Sequence, residues 1–197
     1  MTDKLELIDR QLLLLINGAN TPVLDQIMWF VSEKYTWIPL YIILLIMMLK
    51  IVGRNWWILF LGIGLAVGFA DSISVHCFKN VVMRYRPTHN IELAPLIHIV
   101  NGYHGGWYGF VSSHAANTFA ITFFSSLILK RRVVWIAMLA WSLLVCYSRI
   151  YIAAHYPADI IGGAILGAAC GCLGYIFYKW ASEKRHSTQQ SEIKKDE

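Results

Sequence analysis

The stretch WWILFLGIGLAVGFADSISVHCF, residues 56–78, decides the fold: 23 residues with one acid, Asp71, and one other titratable side chain of note, His76. As a helix rising about 1.5 Å per residue it reaches roughly 34 Å, enough to cross a hydrocarbon core of about 30 Å. Four further apolar runs flank it, at 36–49, 115–129, 133–147 and 158–180. Those at 36–49, 115–129 and 133–147 are short, so each is expected to extend into its flanks or to sit in locally thinned bilayer. The expected fold is all-α, a polytopic transmembrane helix bundle with about five spans. The composition agrees: 57% of residues are hydrophobic and 15% charged, with a mean hydropathy of +0.50, which excludes a soluble domain of ordinary make-up. One membrane domain over 1–182 is expected, with its core at 36–180, followed by a polar, disordered cytoplasmic tail at 183–197.

Charge gives the topology. Lys50 and Arg54, then Lys130, Arg131 and Arg132, then Lys179, Lys184, Arg185, Lys194 and Lys195 all fall on one side when five spans alternate. The positive-inside rule makes that side cytoplasmic. This distribution accounts for the net charge of +5 without a nucleic-acid partner. Ahead of the first span, 1–34 holds two apolar stretches broken by Asn17, Gly18, Asn20, Thr21 and Pro22, and by Asp25 and Gln26 within the second. They read as amphipathic helices in the outer interface, the rival being a sixth span. No basic segment precedes an apolar one there, so no cleavable signal peptide is expected. Cys77, Cys146, Cys170 and Cys172 lack paired metal or redox spacing and read as packing residues.

Three polar clusters interrupt the apolar chain, and on this topology all three emerge at the outer face. The first is Lys79-Asn-Val-Val-Met-Arg-Tyr-Arg86-Pro87, leaving the second span. Taken singly, its basic residues could be interfacial anchors. The second is Val111-Ser112-Ser113-His114, where a helix N-terminus both needs a cap and offers an anion site beside His114. The third runs from Ser148-Arg149 to His155-Tyr-Pro157-Ala-Asp159. Pro157 suits a first helical turn, which places Asp159 one turn beyond His155. A carboxylate there can hold one imidazole nitrogen and leave the other free to attack.

These clusters, in this order, resemble the tripartite signature of the type-2 phosphatidic acid phosphatase superfamily: K-x6-R-P, then P-S-G-H, then S-R-x5-H-x3-D. The first and third parts match throughout; in the second, Val111 and Ser113 stand where the family has Pro and Gly. The resemblance implies a metal-independent membrane lipid phosphatase, with no cofactor. His155 would be the nucleophile oriented by Asp159, and His114 the acid that later serves as base. Lys79, Arg86 and Arg149 would hold the phosphate, with hydrogen bonds from Ser112 and from the backbone at Ser113. The substrate would be a lipid phosphate or diphosphate met among membrane lipids, with no obligatory protein partner. Undecaprenyl diphosphate is the first candidate; phosphatidylglycerol phosphate, phosphatidic acid and a lipid A phosphate remain open. The setting implied is a bacterial inner membrane with the site facing the periplasm. A lipid phosphotransferase working through the same phosphohistidine, a non-catalytic lipid-binding or transport protein, and haloperoxidase chemistry are the competing readings. Outside the signature, Asp71 calls for a partner within the bundle, near His76 or a basic residue. The loop at 88–110 reads as solvated surface in preference to a cover over the pocket.

Overall fold

Each apolar run folds as a helix, and polar residues mark the turns between them. The computed structural model describes residues 2–196, with side chains from 4 to 187. Helix α1 (Thr2–Gly18) and α2 (Pro22–Ser32) are followed by α3 (Ile38–Val52), α4 (Trp56–Ile73), α6 (Ser113–Leu129), α7 (Arg132–Tyr151) and α8 (Pro157–Asp196). Between α4 and α6, a π-helical turn at Ser74–Lys79 and a last turn, α5 (Asn80–Val82), carry the chain into the loop. Among the described residues there is no named strand, only an isolated bridge between Tyr85 and Tyr108.

Among the described residues, three helical segments are long and apolar enough to cross a membrane: Lys34–Val82, Arg132–Tyr151 and Pro157–Ser187. The first contains α3 and α4, folded back on each other at Gly53, whose φ of +52° suits a residue without a side chain. Tyr41, Leu44, Leu45 and Met48 of α3 line one apolar pocket with Phe60, Ile63 and Val67 of α4. Helix α6 is shorter, 17 residues, and occupies the middle of the bundle. Its Ala116, Ala120 and Phe124 are fully buried. At its end Lys130 adopts a left-handed conformation and its N–H bonds the Ser126 carbonyl, turning the chain into α7.

Helices α6 and α8 run parallel, in backbone contact along a stripe of small residues. A Cβ added to Gly171 would lie 2.6 Å from the Ala120 carbonyl oxygen, and one added to Gly174 2.6 Å from that of Gly62 in α4. At Gly163 and Gly167 the neighbours are the backbones of Ser112 and Ala116. Lipid tails are as apolar as side chains, so membrane helices associate by such close packing, for which small residues at every fourth position are suited. The basic turns gather at the opposite end, where Arg185 donates to the Arg54 carbonyl at 2.6 Å.

Helices α1 and α2 lie at the end of the bundle that carries the three clusters. They bury Leu13, Met28 and Val31 while Leu5, Leu7, Ile8, Leu15, Val23 and Phe30 stay exposed, as interfacial helices should. Neither is among the segments able to cross a membrane. One expectation changes and another is refined. The tail from 183 continues α8 to Asp196 instead of losing order, since Glu183, Lys184 and Arg185 are good helix formers propagating an existing helix; Glu197 lies outside the described residues. The loop at 88–110 is largely exposed, as expected, but it is also anchored at particular residues. Leu93 and Val100 are buried, and Asn17 of α1 both donates to and accepts from the backbone of His98.

Candidate active site

Four elements converge at the end of the bundle away from the basic turns: the exit of α4, the N-terminus of α6, the last turn of α7 and the entry to α8. Ser112 caps α6, its hydroxyl accepting from the Ala115 N–H, and its own N–H donates to the Asp159 carbonyl at 2.9 Å, pinning α6 to α8. His155 precedes Pro157, the first residue of α8, and Asp159 follows one turn on. Both side chains are sealed, at 1% and 0% exposure, with His155 Nδ1 3.4 Å from Asp159 Oδ2. That oxygen also accepts the Tyr156 N–H at 3.1 Å. Burial, together with the charges of Arg86, Arg149 and Lys79, holds the His155 imidazole well below its usual range, so the ring is neutral and Nε2 carries a lone pair.

The three expected cations surround this histidine. Arg86 is buried; its Nε donates to the Tyr108 carbonyl at 3.2 Å, while Nη1 is buried without a partner. Arg149, also buried, donates through Nη1 to Ser32 and through Nη2 to the Tyr103 hydroxyl at 2.9 Å, and its Nε has no partner. Burial alone would raise the Tyr103 phenol, but Arg149 and Arg86 outweigh it and bring it below its ordinary value. Lys79 donates to Ser113 Oγ at 2.6 Å, and that hydroxyl shares a further bond with Ser74 Oγ at 2.7 Å. Ser113, where the family signature has glycine, therefore adds a hydroxyl that fixes Lys79. Unpaired buried guanidinium N–H groups are costly and are aimed where an anion can satisfy them.

His114 lines a cavity of about 540 Å³ together with the polar Ser32, Lys34, Asp71, Ser113 and Asn117 and the apolar Trp37, Tyr41 and Val67. Tyr41 and Val67 also line an apolar pocket between α3 and α4. Asp71 accepts from Asn117 Nδ2 at 3.1 Å, and Lys79 lies near enough to feel its charge, so the acid faces the bundle beside a basic residue, as expected, with an amide of α6 as its hydrogen-bond donor. His76 instead pairs with the Ser72 carbonyl. Among the described residues no three His, Cys, Asp or Glu side chains group as metal ligands.

Several contributors carried no sequence signal. Gly109 admits no side chain, since a Cβ would stand 2.8 Å from Asp159 Oδ2 and 3.5 Å from His155 Nδ1. Tyr103 and Ser32 complete the Arg149 cradle from the loop and from α2. Arg84 bridges Asp159 Oδ1 at 2.9 Å and Asp9 Oδ2 at 2.6 Å.

Comparison with known proteins agrees with this arrangement. The model of the PAP2 superfamily matches residues 55–183. The chain is 36% identical over 182 residues to a lipid A 4'-phosphatase of Bacteroides thetaiotaomicron, covering 90% of this chain and 79% of the relative. It is 33% identical to the Porphyromonas gingivalis lipid A 4'-phosphatase, covering 90% and 75%. An undecaprenyl-diphosphatase of Sulfolobus acidocaldarius is 29% identical, over 80% and 72%. Among solved structures, Aquifex aeolicus LpxE superposes with a TM-score of 0.58 at 27% identity, covering 83% of this chain and 92% of that one. The Bacillus subtilis phosphatidylglycerolphosphate phosphatase shares the fold, with a TM-score of 0.66 at 21% identity and coverage of 92% and 87%. With its signature residues brought to one site and most of its length matched, the chain belongs to the PAP2 superfamily of membrane phosphatases.

Proposed function

We propose that this protein hydrolyses a phosphate monoester of a membrane lipid through a phosphohistidine on His155, and that the lipid is of the lipid A class. The observation that carries the reading is the neutral, carboxylate-held His155 facing buried Arg86 and Arg149, each with an N–H left unpaired. His155 Nε2 attacks phosphorus while its Nδ1–H stays on Asp159. As the P–N bond forms, the P–O bond to the lipid breaks and the leaving oxygen takes a proton from His114. Lys79, Arg86 and Arg149 neutralise the equatorial oxygens, where charge must be stabilised during transfer, with the Ser112 hydroxyl and the backbone N–H of Ser113 adding donors. Water then attacks phosphorus, His114 takes its proton, and the P–N bond breaks to release inorganic phosphate. Burial, and then Arg149, His155, Arg86 and Lys79, disfavour the protonated His114 imidazole, and a bound phosphate offsets the part due to the cations.

The substrate assignment moves from undecaprenyl diphosphate to a monoester because the relatives at 36% and 33% identity are lipid A 4'-phosphatases. The charge distribution supports a site on the outer face, and the resemblance to bacterial relatives supports an inner membrane with that face toward the periplasm.

The test is phosphate release by purified protein in detergent with EDTA. The panel is 4'-phosphorylated lipid A, undecaprenyl diphosphate, phosphatidylglycerol phosphate and phosphatidic acid, alongside His155→Ala. Release fastest from lipid A, persisting in EDTA and falling at least about 10³-fold in the variant, supports the reading. Folded protein that releases nothing, or an equally active His155→Ala, overturns it.

A further inference from the structure

Asp9 of α1 and Arg84 of the loop after α4 belong to neither the signature nor the phosphate cradle, yet both are built into the catalytic end of the molecule. Arg84 spends its two terminal nitrogens on two carboxylates: Nη1 donates to Asp159 Oδ1 at 2.9 Å and Nη2 to Asp9 Oδ2 at 2.6 Å. The other Asp9 oxygen accepts the Ala158 N–H at 2.8 Å, in the first turn of α8. Arg84 also lies over the Tyr156 ring, its guanidinium carbon 4.0 Å from the centroid. Asp9 is 6% exposed although it belongs to an interfacial helix. A buried carboxylate 150 residues from Asp159 in sequence, tied to it through one guanidinium, needs a reason stronger than anchoring α1, which apolar contacts through Leu13 already achieve.

We propose that Asp9 and Arg84 are positioning residues for the phosphohistidine reaction, acting on His155 through Asp159. This rests on the phosphatase reading above. The division of labour is geometric. Arg84 occupies Oδ1 of Asp159, so Oδ2 is the oxygen presented to His155 Nδ1. Asp9 holds the second arm of Arg84 away, which stops the guanidinium from chelating both Asp159 oxygens in the fork arrangement that Arg and carboxylate otherwise prefer. With Oδ2 reserved, Nδ1–H stays fixed and Nε2 keeps its lone pair toward phosphorus through attack and through cleavage of the P–N bond. Substituting either residue therefore damages the same step: without Asp9 the guanidinium swings onto Oδ2, and without Arg84 the Asp159 carboxylate is free to rotate.

The experiment measures kcat and KM for release of phosphate from 4'-phosphorylated lipid A by wild type, Asp9→Asn, Asp9→Glu, Arg84→Gln and the Asp9→Asn/Arg84→Gln double variant. Size exclusion and thermal unfolding in detergent report folding. Expected for Asp9→Asn and Arg84→Gln is a fall in kcat of about tenfold or more with KM within about twofold. The double variant should be no worse than the poorer single, and Asp9→Glu should recover most of the loss. If Asp9→Asn does not fold, Arg84→Lys replaces it: one ammonium cannot span both carboxylates, and the same loss in kcat is expected. Folded variants with wild-type kcat, or losses that multiply in the double variant, overturn the inference while leaving the phosphatase reading intact. A wild type that releases no phosphate overturns that reading instead.

Discussion

Replacing Gly167 by alanine tests whether the packing of α8 on α6 sets the site. The new Cβ would stand 2.8 Å from the carbonyl carbon of Ala116 and 2.9 Å from its Cα, closer still to its oxygen, where ordinary contact begins at 3.4 Å. All of these atoms are backbone, so no side chain can swing away and the helices themselves must separate by roughly 0.5–1 Å. Overpacking of this kind costs about 1–3 kcal/mol. Ser112 and His114 lie within one turn of the collision on α6, whereas His155 and Asp159 belong to the start of α8, so the same displacement opens the catalytic geometry. A shift of that size is expected to lower kcat about ten- to a hundredfold. Gly64 of α4 is the control: a Cβ there meets nothing within 4 Å, and Gly64→Ala should be neutral or stabilising by up to about 1 kcal/mol. Thermal unfolding in detergent followed by tryptophan fluorescence, with phosphate release on the same samples, reads both effects. Gly167→Ala with the Tm and kcat of Gly64→Ala would refute the backbone contact and the coupling of seam to site.

Because burial and three cations keep His155 neutral when folded, the unfolded chain alone takes up that proton near its ordinary pKa of about 6.5. The stability tied to this group is therefore complete above that pH and is lost as pH falls below it, by at most about 1.4 kcal/mol per unit. Tm measured between pH 7.5 and 5 should drop more steeply for wild type than for His155→Asn. Arg86→Lys removes the unpaired buried Nη1 and is expected to weaken inhibition by inorganic phosphate about tenfold, read as Ki. Ser113→Gly restores the residue of the family signature but takes away the hydroxyl that receives Lys79. KM is expected to rise a few-fold with kcat nearly kept, by about the worth of one charge-assisted hydrogen bond.

The bundle and the chemical groups of the site were legible in the sequence because both depend on local patterns. Runs such as 56–78 and 158–180 declare their solvent directly. His155 and Asp159 are joined by one helical turn, so their spacing survives as a motif. The supports were not legible, because they act across distance. Asp9 sits in an interfacial segment where an acid looks like ordinary solvation, and nothing near it announces Arg84 or the start of α8. The loop at 88–110 has glycines and histidines that suggest a solvated segment, yet its order comes from Asn17, Arg84 and Arg86 elsewhere in the chain. Asp71 called for a partner in the bundle, and Lys79, two turns on in the same stretch, was there to be read, whereas the Asn117 amide comes from another helix and was not.

The glycine stripe of α8 also determines what in this molecule can move. Helices touching backbone to backbone at Gly163, Gly167 and Gly171 cannot slide past one another without steric collision, and parting forfeits the whole contact, so His114 and His155 travel as a single rigid body. On the α3 side the cavity is lined by large side chains, Trp37 and Tyr41, which change rotamer without disturbing a helix. Room for an incoming lipid is therefore made on the α3 side by rotamer changes, while the reacting groups keep their places throughout the catalytic cycle.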